Sequence, residues 1–365
     1  MRVRVAEHAV LYWDDGRLVW DDYLHQQQFA LTEDSSRVLW WFREWRELSS
    51  VERLGTPLVP IAERLLESGL LIAEGSARHD RQNDFKSRWG VWGPPAAYFH
   101  FATRARSGSR ILTAGEDKAR TRAKVGASPA PPPFKPTAGR PLIALREQPP
   151  GDAGWPHPRL IDALWRRRST RAYLDEPVDL DDLAAILTVA GGIIAFRDDP
   201  EFGHNVFKAS PSAGARDPIE IYLYAGNVAG GLEPAMYHFS PSAHGVTRTG
   251  DAPSRERLVS ALGGQSWLAT APVLLIYTAM IERSQWRYEA ARAYRDISLG
   301  LGHVSQTVLL TATAMGLGGV FATAVRDEEL EALVGCDPMS EIVLGVTALG
   351  HPRGTTPSIP DDTAP

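Results

Sequence analysis

Residues 297–315 constrain the fold of this chain more than any other part of its sequence. The stretch is almost wholly apolar and is interrupted by glycines, small hydroxyl residues, His303 and Gln306. A helix that is apolar on every side must be buried on every side, either in a large core or in a dimer seam. The sequence therefore predicts a globular protein built around one long central helix.

Length and composition fit a folded chain of two or more domains. The chain has 365 residues, of which 44% are hydrophobic and 23% charged, and these fractions exclude a wholly disordered protein. Its net charge of −5 argues against a dedicated nucleic-acid binder, because phosphate neutralisation needs an excess of Lys and Arg. One cysteine, Cys336, allows no internal disulfide.

The sequence favours a cytoplasmic protein. The N-terminal residues contain no apolar segment of the kind that secretory signals carry. The longest apolar run, residues 271–281, is about half the length of a membrane helix, which needs roughly 20 residues. We therefore expect neither secretion nor membrane insertion.

Composition divides the chain into three parts and a tail. Residues 1–100 combine short strands, a hairpin signal at Asp14-Asp15-Gly16 and two amphipathic helices, which predicts a small winged-helix-like domain. Residues 101–158 are rich in Pro, Ala and basic side chains and predict an extended linker, with a loop over an anionic ligand as the alternative. Residues 159–355 alternate helical and strand patterns and predict an α+β domain with a mixed sheet wrapped by helices. Residues 356–365 are expected to form a disordered tail.

A cluster of arginines precedes the predicted helix Leu180–Gly191. Guanidinium groups bind phosphate bidentately, and neighbouring hydroxyl groups complete the shell of donors. The cluster therefore indicates a phosphate site, although a solvated basic turn explains it equally well. The candidate phosphate ligands are Arg167, Arg168, Ser169 and Arg171.

Two loops are composed mostly of small residues. Ser210, Ser212, Ala213 and Gly214 precede a predicted strand, and Gly318-Gly319 follows the long apolar helix. Small residues let a backbone approach a flat ligand closely and offer it N–H groups. An ordinary tight loop and a helix C-cap are the alternative interpretations.

In this order and spacing, these motifs resemble those of the flavin-dependent nitroreductase family over about residues 160–350. In that family an Arg-Arg-Ser-x-Arg motif holds the phosphate and ribityl chain of FMN, and the matching residues here are Arg167, Arg168, Ser169 and Arg171. The resemblance implies an FMN-binding nitroreductase-like fold. It extends the implied cofactor contacts to Ser210, Ser212, Ala213, Gly214, Gln306, Gly318, Gly319 and Arg353.

A narrower resemblance is to the SagB/ThcOx-type azoline dehydrogenases, which oxidise thiazoline and oxazoline rings in ribosomally made peptides to thiazoles and oxazoles. The matching segments are SAGARDPIE at 212–220, MYHF at 236–239, Arg287-Tyr288, Tyr294-Arg295, Gly302-His303, and Trp89, Trp92 and His100 ahead of the catalytic domain. The resemblance implies a homodimer with flavin sites at its interface, a modified precursor peptide as substrate and reoxidation of the flavin by O2. A cyclodehydratase is a candidate partner. The N-terminal domain would bind a leader peptide as an added strand, or would only support the dimer.

The expected catalytic pair departs from the resembled family. A Lys-Tyr pair does the proton work there, whereas Arg287 and Tyr288 occupy the matching positions here. Arginine is a poor general base because its pKa exceeds 12. Tyr288 would then be the base, with the adjacent charge of Arg287 favouring its ionised form, unless the proton chemistry has moved elsewhere or the substrate differs.

Arg295 and His303 are further candidates, for substrate contact. Helical periodicity predicts that Arg295 shares one helix face with Tyr288 and Arg292. We predict no metal site, because His204 and the other histidines of the catalytic domain lack a Cys or Glu at ligand spacing.

Two other functions stay open at this point. One is a general NAD(P)H-dependent flavin reductase acting on nitro or quinone compounds. The other is a weakened scaffold that binds a leader peptide within a peptide-modifying complex, and the arginine at position 287 is the feature that favours it.

Overall fold

The computed structural model describes residues 1–91, 93–105, 112–137, 139–146 and 159–354. Its internal contacts divide the chain into two compact units, Met1–Arg110 and Ile111–Pro365. Trp92 and the tail expected at 356–365 lie outside the described residues.

The first unit consists of small antiparallel sheets and helices. Its strands and helices are β1 (Arg2–Val5), β2 (Val10–Asp14), β3 (Arg17–Asp22), β4 (Gln27–Leu31), α1 (Glu33–Trp41), β5 (Arg46–Glu47), α2 (Val59–Ser68), β6 (Leu71–Ala73), α3 (Ala77–Trp89) and α4 (Gly93–Ala102). The strand orders are β5-β1-β6 and β2-β3-β4.

Local signals place most boundaries of this unit. The predicted hairpin joins β2 to β3 through Asp15 and Gly16, both with positive φ (44° and 72°), as a tight two-residue hairpin turn requires. Thr32 caps α1 by accepting a hydrogen bond from Ser35 N at 3.2 Å. Gly69, with φ of 86°, ends α2 in the left-handed conformation.

The second unit contains the remaining elements. They are α5 (Ala114–Ala127), β7 (Leu142–Ala144), α6 (Leu160–Arg166), β8 (Val178–Asp179), α7 (Leu180–Gly191), β9 (Ala195–Asp199), β10 (Gly203–Phe207), β11 (Ile219–Ala225), β12 (Val228–Ala229), β13 (Ala235–Ser240), β14 (Gly245–Asp251), α8 (Arg255–Ala261), β15 (Val273–Met280), α9 (Ile281–Arg287), α10 (Tyr294–Ala314), β16 (Gly318–Ala322), α11 (Asp327–Val334) and β17 (Glu341–Gly350).

A seven-stranded sheet organises this unit, in the order β16-β17-β15-β11-β13-β14-β7. The ladders between these named strands are antiparallel. Parallel pairing occurs between β8 and β12 and in a single bridge from Ser169 to Gly319 at the β16 edge. The predicted α+β class is confirmed, and among the described residues the parallel pairing in this sheet is that edge bridge.

Helices cover both faces of the sheet. Helices α7 and α10 pack on one face and α8 and α11 on the other, each pair over its own buried apolar cluster. One face of α10 is buried within the chain, at Val304 and Val308, whereas Leu299 on its outer face is 62% exposed. Of the two predicted sites of burial, the core therefore covers one face of the helix, and burial of the other face in a dimer seam stays a prediction.

The expected extended linker contains regular structure instead. Helix α5 begins at a capping box formed by Thr113 and Glu116, and β7 adds the edge strand of the main sheet. The proline-rich stretch also packs against the domain, because Arg283 and Trp286 donate to the carbonyls of Pro132 and Ser128. Proline composition predicted an extended backbone but not that this backbone would be bound to the catalytic unit.

The described helices of both units are too short or too polar to cross a bilayer.

Candidate functional site

The arginine cluster lies where α6 ends and the chain joins the sheet edge. Arg167 is the C-cap of α6. The Arg168 guanidinium turns back and donates to the carbonyls of Trp165 (2.6 Å) and Arg167 (2.9 Å). Ser169 then bridges to Gly319, and Thr170 N donates to Gly319 O at 3.0 Å. The cluster is thus held as an added strand beside β16.

Glycine is required at position 318 for the arginine segment to lie this close to β16. A Cβ atom added there would lie 2.8 Å from both Cβ and Cγ2 of Thr170. In the glycine-rich segment after α10, the helix-cap interpretation holds for Gly316, which follows the C-cap Met315 with a φ of 79°. Gly318 and Gly319 instead start strand β16 and let the arginine segment lie against it.

Arg353 reaches the same region from the end of the chain. Its backbone N donates to Ala172 O at 2.9 Å, and its side chain lines a cavity of about 300 Å³ together with Asp175, Arg255 and Asn227. Arg171 lies beside this group, with its guanidinium 5.8 Å from the Trp267 ring. The structure therefore brings the arginine motif, the glycine pair and Arg353 together from distant parts of the sequence.

The loop at 210–215 packs against α10. Buried Ser210 hydrogen-bonds Thr307 through its hydroxyl at 2.7 Å, and His303 Nδ1 lies 3.1 Å from the carbonyl of Pro211. Ser212 Oγ accepts from Asp217 N at 3.0 Å. His303 therefore positions this loop through a backbone carbonyl, whereas Gln306, one turn away, is exposed.

Tyr288 and Arg287 lie against Gly214 in this loop. Gly214 has a φ of 59°, and a Cβ atom added to it would lie 2.8 Å from the Tyr288 hydroxyl and 3.5 Å from Arg287 Cγ. The Arg287 guanidinium lies 4.9 Å from the centre of the Tyr288 ring. The loop and the expected catalytic pair thus form one surface.

Asp117 of α5 binds Arg287, and sequence reasoning did not identify it. Both terminal nitrogens of the Arg287 guanidinium contact the Asp117 carboxylate, Nη1 to Oδ1 at 2.9 Å and Nη2 to Oδ2. The hydrogen bonds from Arg287 lower the pKa of Asp117, and the same bonds raise the pKa of Arg287. Arg287 therefore stays protonated. The charged residues of the predicted linker are visible in the sequence, but no local pattern indicates that Asp117 contacts Arg287.

A cleft of about 510 Å³ opens beside this pair. Its lining is rich in cations and includes Lys118, Arg197, Asn205, Gly214, Arg216 and Arg287. Arg216 is fixed in place because it donates to the carbonyls of His204 and Phe202. Burial, together with the charge of Arg287, lowers the pKa of Arg216 to about 10. The cleft is suited to a polar or anionic ligand.

A buried ion network supports α9, the helix that ends at Arg287. Arg283 contacts Glu220 at 2.7 Å, and His238 contacts the other oxygen of the same carboxylate at 2.7 Å. Arg283 also donates to the carbonyl of Asp217 at 2.9 Å, and the Asp217 carboxylate pairs with Lys208. Burial of charged groups is stable only with this degree of pairing.

The predicted common helix face of Tyr288, Arg292 and Arg295 is wrong. Helix α9 ends at Arg287, Tyr288 is an extended C-cap residue, and Tyr294 begins α10. The break separates Tyr288 from Arg295 and turns its side chain toward Gly214. A periodicity argument assumed one continuous helix and could not detect this break.

The fold and site define a class: an α+β protein with a cationic group at a sheet edge and a small-residue loop facing a cleft. Both regions contact α10, at Leu309 near Gly319 and at His303 near Pro211. Six helical residues span about 9 Å. The arginine segment and the 210–215 loop therefore lie along the same helix.

Comparison with known proteins places the chain within that class. The model of the Nitroreductase family matches residues 164–351, just over half of the chain, and the chain belongs to this family. The nitroreductase family typically binds FMN, so FMN is the cofactor that this domain takes.

Individual relatives cover the catalytic unit. The nitroreductase-like protein MJ1384 of Methanocaldococcus jannaschii is 36% identical over 176 residues, which are 48% of this chain and 84% of that protein. The trifolitoxin-processing protein TfxB of Rhizobium leguminosarum bv. trifolii is 28% identical over 174 residues, 47% of each chain. A nitroreductase-like structure from Ralstonia eutropha JMP134 has a TM-score of 0.48 at 21% identity and covers 62% of this chain and 97% of its own.

Proposed function

We propose that this chain is an FMN-dependent dehydrogenase that oxidises azoline rings in a ribosomally made peptide to thiazoles or oxazoles. The observation that carries the proposal is the position of the Tyr288 hydroxyl against Gly214, beside a cleft that Gly214 and Arg287 line. FMN, when bound, supplies the acceptor for a hydride equivalent. The similarity to TfxB, a trifolitoxin-processing protein, supports a peptide substrate.

The cofactor would be held at both ends by residues of this chain. Arg167, Arg168, Ser169, Arg171 and Arg353 would bind the phosphate and ribityl chain. The loop formed by Ser210, Ser212, Ala213 and Gly214 would lie against the flat ring, with Gly318 and Gly319 allowing the arginine segment to close on it.

Tyr288 is the proposed base. Oxidation of an azoline ring removes one proton from a ring carbon in addition to the hydride equivalent, and this proton needs an acceptor. Arg287 does not serve, because its ion pair with Asp117 keeps it protonated. Its guanidinium, 4.9 Å from the Tyr288 ring centre, holds the ring in place instead. Asp117 therefore acts as a positioning residue for the pair.

The cleft would hold the peptide segment that carries the ring. Its volume of about 510 Å³ lies in the range of ligand pockets. Lys118 and Arg197 would contact acidic or carbonyl groups of the peptide, and Arg295 and His303, both on α10, are further candidates for substrate contact. Residues 1–100 would bind the leader as a winged-helix-like domain.

The enzyme is proposed to be a homodimer. Helices α6 and α10 contact each other and expose large apolar side chains. These are Leu160, Ile161, Leu164, Trp165 and Leu299, each between 43% and 67% exposed. Contiguous exposed apolar surface marks an interaction site, and a monomer by light scattering would refute this assembly.

The test is the mass of a leader-bearing thiazoline peptide after incubation in air with the purified protein and added FMN. We expect loss of two hydrogens per ring. Tyr288→Phe should lower the rate by about 10²–10⁴-fold, the usual contribution of a general base, while the variant retains FMN. Tyr237→Phe is the matched control, since it removes a hydroxyl that bonds the Glu233 carbonyl, and it should keep activity.

Three results would contradict the proposal. An unchanged peptide mass with bound flavin that NAD(P)H bleaches would favour a general flavin reductase. Tight peptide binding by flavin-free protein would favour the scaffold function. Wild-type rates in Tyr288→Phe would remove Tyr288 from the mechanism.

A further inference from the structure

We propose that His8, Asp22 and His25 in the first unit form a binding site for one zinc ion, with a fourth coordination position open to solvent. The three side chains lie on the β1–β2 connection, the end of β3 and the turn that follows it. One ligand atom from each lies within 4.8 Å of the others. Their spacing matches no sequence motif for a metal, so the proposal rests on tertiary structure.

The orientation of His8 is determined by Gln82. The Glu7 N–H donates to Gln82 Oε1 at 2.7 Å, which fixes the amide with its oxygen toward the first strand. The same oxygen lies 3.2 Å from His8 Nδ1, and an oxygen acceptor requires that Nδ1 carry the hydrogen. In the neutral ring, His8 Nε2 therefore presents a lone pair.

That lone pair faces a carboxylate. His8 is 2% exposed, and its Nε2 atom has no hydrogen-bond partner among the described residues, although Asp22 Oδ1 lies 3.4 Å away. Two atoms that offer only lone pairs repel each other unless a cation lies between them. A proton or a metal ion would fill that role.

One of the separations already fits zinc. Ligand atoms about 2.1 Å from a tetrahedral zinc ion are about 3.4 Å from each other, which is the separation of His8 Nε2 and Asp22 Oδ1. His25 Nδ1 lies 2.8 Å from Asp22 Oδ2, a hydrogen-bond distance, so His25 becomes the third ligand when its proton moves to Nε2 and the two atoms move apart around the ion. The hydrogen bond from His8 Nδ1 to Gln82 is the outer contact that usually orients a metal-binding histidine.

The buried Asp22 carboxylate lies between the two imidazoles, with Oδ1 3.4 Å from His8 Nε2 and Oδ2 2.8 Å from His25 Nδ1. His25 is 31% exposed, so the ion has a route from solvent. Two imidazoles and one carboxylate with an open position suit zinc and related divalent ions.

The experiment is a zinc titration of the full-length, untagged protein, followed by desalting and metal analysis. We expect one zinc per chain, and His25→Gln should weaken binding at least tenfold. His25 is partly exposed, so this variant should fold. His79→Gln, in the same unit, is the matched control and should bind zinc as the wild type does.

A second readout is direct. Cobalt(II) added in place of zinc should give visible absorption bands that zinc then abolishes, and His8→Gln should lose them. Wild-type protein that retains no zinc after desalting would overturn the proposal and leave a proton between His8 and Asp22. Equal zinc binding by wild type and His25→Gln would overturn it as well.

Discussion

Replacing Glu220 with glutamine should destabilise the catalytic unit in a pH-dependent way. Glu220 is buried and pairs with Arg283 and His238. Burial alone would raise its pKa, but the hydrogen bond from His238 and the charge of Arg283 lower that pKa from an ordinary 4.5 to about 2. By linkage, such a difference corresponds to about 3 kcal/mol of folding free energy.

The sign of the pH dependence follows from the lowered pKa. A carboxyl group whose pKa is depressed by folding contributes its full stability above the unfolded value, here pH 4.5, and loses it as the pH falls toward 2. Glu220→Gln removes this contribution at every pH and leaves Arg283 without its buried partner. The difference in unfolding free energy between wild type and variant should therefore be large at pH 7 and should shrink below pH 4.5.

Urea unfolding followed by circular dichroism at several pH values measures this difference. A loss of about 3 kcal/mol with a slope of about 3 kcal/mol per molar urea lowers the midpoint by about 1 M at neutral pH. Glu282→Gln, an exposed acid on the same helix as Arg283, is the matched control and should leave the midpoint unchanged. Equal midpoints of wild type and Glu220→Gln at pH 7, or a difference that stays constant down to pH 3, would refute the reasoning.

Two further predictions concern the site. Gly318→Ala places a methyl group 2.8 Å from Thr170 Cβ, an overpacking that costs about 1–3 kcal/mol; flavin retained after desalting should fall about tenfold, whereas Gly126→Ala, in open space, should retain it. Asp117→Asn weakens the hold on Arg287, and because misplaced catalytic groups cost up to about 10² in rate, turnover should fall while flavin content stays the same. The control is Glu289→Gln, which breaks the exposed ion pair between Glu289 and Lys124; Lys124 lies on α5, as Asp117 does. Equal turnover in Asp117→Asn and Glu289→Gln would exclude a positioning role for Asp117.

Much of the fold could be predicted from local sequence. Helix Leu180–Gly191 has the predicted bounds, and the strand predicted after the 210–214 loop is present as Ile219–Ala225, because apolar patterns specify which parts of an element are buried. Thr32 and Gly69 act as the caps that their residue types predict. The arginine motif and the family it resembles were also visible, since the arginine segment is contiguous in the chain.

The sequence by itself therefore determined the fold class, the family and those elements that apolar periodicity and caps specify locally, but not α5, β7 or the break between α9 and α10. Only the tertiary structure decided which side chains meet. Asp117 and Arg287 are 170 residues apart, and Glu220 reaches Arg283 because β11 pairs with β15, which leads into α9. Sheet register and helix ends set such contacts, and a single chain-local pattern carries no information about either. The same reason separates Tyr288 from Arg295 and brings His8, Asp22 and His25 together.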